Sequence, residues 1–373
     1  MRICRVSQTY PTTQNQGKGQ HAFFISKYIV KDTIVLTKKY NEDYIKNESH
    51  VSLFPINYFQ FPFERNQSKN FHFLISSISY IIGQLQFFIK SLPILIKFKP
   101  SIVHLQSPHG ILISLFCKLF YSSKIFLTFH GSDLRRLNSN KYLMLLLNKV
   151  DKVFYVSRFM EPDLKNHFGE SKIFFTPSGI DIDYFLVNKK YKRKNYVLCV
   201  ANLLEEKGIE FLIDAFHGLL KTNPEYKLVL VYSSFTKKYR SMLINKIKML
   251  HIDKNIIMLK NLSRSEIRDY YQKSKLFVLP SLAEGMPKVI HEAKASKLPI
   301  IATDVGSCKE IVNDSGFIVK PGSSTEILNK ILILINNQDI YRKFQNNSHS
   351  DIYKYSWKYL AKNIFEQFKK FYY

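Results

Sequence analysis

Pro280-Ser281-Leu282-Ala283-Glu284-Gly285-Met286-Pro287-Lys288-Val289-Ile290-His291-Glu292-Ala293 is the stretch in which this chain concentrates its chemistry. The apolar run just before it, residues 276–279, reads as a strand, Gly285 as part of a turn, and Pro287 as the first residue of a helix, a position that tolerates proline. The first N–H groups of such a helix have no internal partner and point toward the strand's carboxyl end. An anion placed there gains about 0.3–2 kcal/mol from the helix dipole alone. Glu284 falls in the turn and Glu292 eight residues later on the helix, near the same side. Two carboxylates repel a phosphate, but they suit neutral hydroxyls of a sugar ring or a ribose, at about 1.5–3 kcal/mol per charge-assisted bond. The plainer alternative is that Glu284 caps the helix and Glu292 is a solvated helix residue.

Working outward, the same strand–turn–helix unit recurs along the chain. Apolar β-rich runs at residues 2–7, 33–37, 102–105, 124–128 and 152–156 alternate with helical patterns at 22–30 and 111–121. The pattern stops at Pro177-Ser178-Gly179 and restarts after a basic stretch at 189–194. Strands are then expected at 197–201, 227–232, 256–259, 276–279 and 300–303, with helices at 209–220, 240–250, 264–272 and 287–296 between them. Such alternation predicts an α/β protein of two Rossmann-like domains, each a parallel, doubly wound sheet. The domains are expected at residues 1–184 and 185–355. A final segment, 356–373, has Trp357, Leu360, Ile364, Phe365 and Phe368 at helical spacing, an apolar face able to pack back on the N-terminal domain.

A chain of 373 residues needs about two cores, and 46% hydrophobic with 23% charged residues is a globular balance. The formal net charge of +26 admits a nucleic-acid binder, a protein resting on anionic lipid, an enzyme for anionic substrates, or compositional drift in a Lys- and Asn-rich chain. Cys4, Cys117, Cys199 and Cys308 are far apart, form no metal or redox pair, and suit a reducing compartment. No secretory pattern opens the sequence. Residues 71–89 carry no charge and approach spanning length, yet Ser76, Ser77, Ser79, Gln84 and Gln86 recur within them. That reads as an amphipathic helix ending at Lys90, Lys97 and Lys99.

The stretch 284–292 resembles the E-x7-E motif of retaining glycosyltransferases, specifically glycosyltransferase family 4. Other segments are similar in the family's order. Thr128-Phe129-His130-Gly131-Ser132-Asp133 resembles its H-G-x-D segment, and Pro177-Ser178-Gly179-Ile180-Asp181 its P-N-G-x-D segment. Val200-Ala201-Asn202-Leu203 to Lys207-Gly208 resembles G-R-L…K-G, and Gly316-Phe317-Ile318-Val319 to Gly322 resembles G-x-L-V-x-P-G.

The resemblance implies the GT-B architecture, two facing Rossmann-like domains with the active site in the cleft between them. It implies that Glu284 meets the donor sugar's hydroxyls and Glu292 the ribose, and that Gly285, Met286, Pro287, Lys288 and Val289 approach the sugar and diphosphate. His130 matches the family's histidine near the transferred sugar, and Lys207 its cation for the departing diphosphate. Gly17 and Gly19 fall in a loop similar to the glycine loop that closes over the donor phosphates. Asn202 stands where the family usually has Arg, so one of two cations is missing, and Tyr232-Ser233-Ser234 replaces its Gly-rich turn. Asp181-Ile182-Asp183 fits a D-x-D written for metal-dependent enzymes of another fold; with no neighbouring ligands Asp181 reads as structural, and no obligatory metal or cofactor is expected.

The expected activity is retaining transfer of a sugar from a nucleotide-diphosphate-sugar to a saccharide or lipid-linked acceptor, in synthesis of bacterial surface polysaccharide, lipopolysaccharide or glycolipid. An epimerase or phosphorylase of similar architecture, or a non-catalytic member of the fold, is the alternative. A specific nucleic-acid partner is not expected, because the basic residues are dispersed and no recognition module is visible. Glu64 is the only acid between Ser49 and Ser132, where lysines and aromatics accumulate. That leads to the expectation of a cytoplasmic protein whose N-terminal domain leans on the anionic inner face of the cell membrane.

Overall fold

The computed structural model describes residues 1–12, 19–58, 71–130, 145–186, 192–350 and 352–372, without side chains for 71–80, 349 and 350. Gly17, Glu64, Gly131, Ser132 and Asp133, all singled out above, and residues 189–191 of the basic stretch lie outside the described residues. The chain forms two compact units, Met1–Pro177 with Trp357–Tyr373, and Ser178–Ser356.

The first unit holds seven parallel strands: β1 (Ile3–Ser7), β2 (Thr33–Lys38), β3 (Val51–Ile56), β4 (Ile102–Leu105), β5 (Lys124–Phe129), β6 (Lys152–Tyr155) and β7 (Ile173–Phe175). Their order is β3-β2-β1-β4-β5-β6-β7. The central strands are buried on both faces, which is why they read as continuous apolar runs. Two of these strands were not predicted. β3 is an edge strand with Pro55 inside, tolerated because no strand among the described residues pairs beyond it, and β7 is only three residues long.

Side chains alternate across β1, so Cys4 and Val6 enter one core while Ile3 enters the other. That second face is covered by helices Gln20–Tyr28 and Trp357–Tyr372. Trp357, Leu360, Ile364 and Phe368 pack there with Ile3, Phe24, Phe126 and Phe154. Trp357 stacks on Phe24 with ring centres 5.3 Å apart, and Phe368 lies 4.5 Å from Phe126. Beneath them Arg5 is fully buried, donating to Ser26 Oγ at 2.8 Å and to His104 Nδ1 at 2.5 Å. Burial lowers the Arg5 pKa to about 9. Burial, reinforced by Arg5, pushes His104 well below its usual value, so its neutral ring donates from Nε2 to Thr128 at 2.8 Å.

The second unit holds β8 (Tyr196–Val200), β9 (Lys227–Tyr232), β10 (Ile256–Lys260), β11 (Leu276–Leu279), β12 (Ile300–Thr303) and β13 (Gly316–Val319), all parallel in the order β10-β9-β8-β11-β12-β13. The domain boundary needs correction. Residues 178–184, assigned to the first domain from the sequence, pack in the second unit. Ile180 and Phe185 are buried there with Leu198, Phe277 and Ile290, and Arg264 holds Asp181 at 3.2 Å. Helix Lys237–Met249 starts three residues before the expected position, because Thr236 caps it by accepting from the Tyr239 N–H.

Truncating Phe368 to Ala leaves a cavity between the C-terminal helix and the first sheet. It is expected to destabilise the first unit by about 3–5 kcal/mol. Urea unfolding followed through Trp357, the only tryptophan, measures this directly.

Candidate functional site

In an open parallel sheet, ligands bind outside the carboxyl ends of the strands where strand order reverses. In the second unit that point lies between β8 and β11. The loops leaving these two strands carry the predicted residues, and they are fastened together by backbone. The Glu206 carbonyl accepts from the N–H groups of Leu282 (2.8 Å) and Ala283 (3.3 Å). Gly208, in the left-handed region at φ +56°, lets the β8 loop approach so closely that a Cβ would sit 2.4 Å from the Pro280 carbonyl oxygen.

This docking brings Lys207 Nζ to 2.9 Å from Glu284 Oε1, with the two side chains 19% and 11% exposed. Ser281 Oγ donates to the same oxygen at 2.7 Å. Ser281 is itself buried, and its carbonyl accepts from Thr303 Oγ1 at 2.5 Å. From below, the Ser307 N–H donates to the Gly285 carbonyl at 3.0 Å. Gly306 passes so close that a Cβ would lie 2.3 Å from the Glu284 carbonyl oxygen. Glu284 is therefore held on one oxygen, with no hydrogen bond recorded to Oε2 among the described residues.

Helix Lys288–Ala295 follows. Pro287 is its cap and not its first helical residue, since ψ 104° keeps it extended. The direction of the helix is as expected, so its dipole still faces the site. Glu292, one turn in, accepts from Tyr271 Oη at 2.9 Å. Burial raises its pKa, opposed by that hydrogen bond and by Arg264 and Lys288. Burial likewise lowers the pKa of Lys288, opposed by Glu292.

A pocket of about 280 Å³ opens here, lined among others by Asn202, Lys207, Glu284, Pro287, Lys288 and Val289, with Val200, Val231 and Ile267 as an apolar wall. Gly285, Met286 and Glu292 are not part of its lining. Met286 turns inward, its Sδ accepting from the Ser178 N–H at 3.2 Å. Asn202 joins the two departures noted above. Its Oδ1 accepts from the Ser234 N–H and Ser233 Oγ, both at 3.0 Å, and from the Ser233 N–H at 3.3 Å. Backbone donors fix which way the amide points, so Nδ2 is the group left for a ligand. Asn202 thus holds the turn after β9 in place of supplying a second cation.

In the first unit, Gly19 caps helix Gln20–Tyr28 at φ +69°, where a Cβ would lie 2.5 Å from the Thr9 carbonyl oxygen. His130 is exposed at the end of β5, edge-on to His21 at 5.0 Å. Asp181 is engaged by Arg264, whose guanidinium also lies 4.1 Å from the centre of the Tyr184 ring.

Ser281, Tyr271 and Gly306 were missed from the sequence. Ser281 is three residues before Glu284 and could have been found by that spacing; Tyr271 and Gly306 have no local signal.

Two family profiles match the chain: "Glycosyltransferase Family 4" over residues 57–184 and "Glycosyl transferases group 1" over residues 182–351. The chain belongs to this glycosyltransferase family. It is 27% identical over 238 residues to an uncharacterized glycosyltransferase of Methanocaldococcus jannaschii, covering 62% of this chain and 64% of that one, so the match spans less than two thirds of that relative. It is also 27% identical over 300 residues to the capsular polysaccharide biosynthesis glycosyltransferase CapM of Staphylococcus aureus, covering 74% of this chain and 77% of that one. The structure of HepE from Anabaena in complex with UDP matches 99% of this chain and 100% of its own with a TM-score of 0.75 at 16% identity. At that identity the likeness shows the fold, the two-domain α/β GT-B architecture.

Asn202→Ala releases the 233–234 turn, and donor affinity is expected to fall about tenfold, or about 1.4 kcal/mol, in a calorimetric titration. The family resemblance implies that ligand hydroxyls donate to the Glu292 carboxylate; on that expectation affinity weakens as pH falls through the raised pKa of this group. Glu292→Gln removes that pH dependence, which titrations at acidic and neutral pH measure.

Proposed function

We propose that this protein is a retaining glycosyltransferase, moving a sugar from a nucleoside-diphosphate-sugar to a hydroxyl of a saccharide or lipid-linked acceptor. The observation that carries this reading is the Lys207–Glu284 pair beside the start of helix Lys288–Ala295, at the point where strand order reverses. Family membership and the name of the capsular relative support assignment to bacterial surface polysaccharide, lipopolysaccharide or glycolipid synthesis. The UDP complex of the Anabaena neighbour supports a nucleotide donor. The four buried, unpaired cysteines agree with a cytoplasmic setting.

In this mechanism the diphosphate lies at the helix N-terminus, within reach of Lys207, with Lys288 beside it. Glu284, held by Ser281 and Lys207, offers its other oxygen to the sugar hydroxyls, and Glu292 accepts from the ribose. The acceptor oxygen bonds to the anomeric carbon as the bond from that carbon to phosphate oxygen breaks. The bonding pair leaves with the diphosphate, and the acceptor's proton passes to the departing oxygen on the same face. The charge that develops there meets Lys207 and the helix dipole, fixed donors that need no reorganisation.

Donor recognition is read by a thermal-shift screen against UDP-, GDP- and ADP-sugars. A donor at about a hundred times its dissociation constant stabilises the protein by about 2.7 kcal/mol. With that donor and an acceptor, Glu284→Ala or Lys207→Ala is expected to cost at least about a hundredfold in turnover. Near-normal turnover in both variants contradicts the assignment. Product of inverted anomeric configuration by NMR contradicts retention, and conversion of the donor without acceptor redirects the reading to an epimerase.

A further inference from the structure

Helix Phe71–Phe98 belongs to the first unit, whereas Lys207, Glu284 and Glu292 belong to the second. Ile81, Ile82, Leu85, Ile89 and Ile96 on it are exposed, Ile89 at 59%. Each residue advances about 100° around a helix, so with Ile81 at zero these five fall between about 0° and 100°. The buried residues Gly83, Gln84, Phe87, Ser91 and Leu95 fall between about 200° and 320°, and Lys90 and Lys97 at about 160–180°. One face is thus anchored in the core. The opposite face is apolar, and lysines run along one edge of it.

The apolar face continues onto helix Ile111–Tyr121. Phe88 packs on Phe116 with centres 5.8 Å apart, and Phe116 on Phe120 at 4.7 Å. Phe120 and its neighbour Leu119 are 64% and 78% exposed. An apolar surface this continuous calls for a covering partner.

Charge identifies the partner. Neither helix contains an Asp or Glu, whereas Lys90 and Lys97 lie on the longer one and Lys99 follows directly. Lys90 also donates to the Asn57 carbonyl at 2.7 Å, and Lys118 on the shorter helix is paired with Asp151 at 3.1 Å and is not counted. A second copy of a chain with net charge +26 would set lysines against lysines. An anionic bilayer offers acyl chains to the apolar arc and lipid phosphates to the lysines on its edge, which snorkel outward from it. Although the segment Ile81–Phe98 is long and apolar enough to cross a membrane, its anchored face contains Phe87 and Leu95, packed in the protein core. A spanning orientation would strip that face from its partners.

We infer that the outer face formed by residues 81–98 and by helix Ile111–Tyr121 is a docking surface for an anionic lipid bilayer, on which the longer helix lies in the plane of the headgroups. The inference stands apart from the donor chemistry, and vesicle flotation of the full chain tests it. Vesicles of phosphatidylcholine with one third phosphatidylglycerol should bind the protein at least about tenfold tighter than phosphatidylcholine alone. Binding should fall as salt rises from about 0.1 M to about 1 M, where the screening length shrinks from about 10 Å to about 3 Å.

Joint replacement Leu85→Glu and Ile89→Glu should lower the affinity at least about tenfold, while melting temperature and the donor thermal shift stay unchanged. Lys90→Gln with Lys97→Gln should weaken binding to anionic vesicles only. Failure of the unaltered chain to float at low salt, or equal binding by the two-glutamate variant, overturns the inference. So does light scattering that shows a dimer which the same variant makes monomeric without any vesicle binding.

Discussion

Lys207 and Glu284 are 77 residues apart in the chain and 2.9 Å apart in space, and the proposed donor site depends on that closure. Taking the carboxylate and the ammonium partly out of water is unfavourable unless each finds a partner. Here the pair is set by backbone before the side chains meet: the Glu206 carbonyl holds the 282–283 turn, and Gly208 removes the Cβ that would keep the loops apart. Ser281 above and Gly306 below then fix the orientation of the Glu284 turn. The result is a cation and an acceptor already positioned, so that little reorganisation remains when a donor enters.

Asn202 changes the meaning of a residue that looked like a loss. With Arg absent, the proposed mechanism leaves the diphosphate to Lys207, Lys288 and the helix start. Asn202 instead gathers the N–H groups of Ser233 and Ser234 into one acceptor and so shapes the pocket wall after β9. A change at one strand end is matched by a change at the next, because β8 and β9 are neighbours in the sheet. The same economy applies to the basic composition: Arg193, for example, is spent on the carbonyls of Ser274, Ser296 and Lys297 and not on a ligand.

Most of the fold was legible because parallel strands buried on both faces leave uninterrupted apolar runs between helical patterns. The strands that escaped are β3, a half-exposed edge strand containing Pro55, the three-residue β7, and β13, noted only as a motif; helices Glu161–Phe168, Ser324–Asn336 and Gln338–Ser350 escaped as well. The boundary was misplaced because burial of Ile180 and Phe185 against Leu198 and Phe277 is a tertiary fact, invisible in local spacing. In the site, Glu284, Glu292 and Lys207 could be singled out from short motifs. Their partners were legible only in part: Ser281 is three residues from Glu284, but Tyr271 is 21 residues from Glu292, and nothing near either of those two encodes their contact. An amphipathic helix was readable from the recurring Ser and Gln of residues 71–89, whereas which side faces the core was not: Gln84 is buried, and Ile81, Leu85 and Ile89 are exposed.

The central claim is that Lys207 and Glu284 act as one unit on the donor, and a double-mutant cycle measures it most directly. Turnover of the identified donor would be compared for Lys207→Met, Glu284→Gln and the double variant. Coupling predicts a double variant no slower than the slower single variant, within about threefold, because each replacement already dismantles the shared arrangement. Losses that multiply, each variant contributing its full factor to the double, would show two independent groups and contradict the coupling.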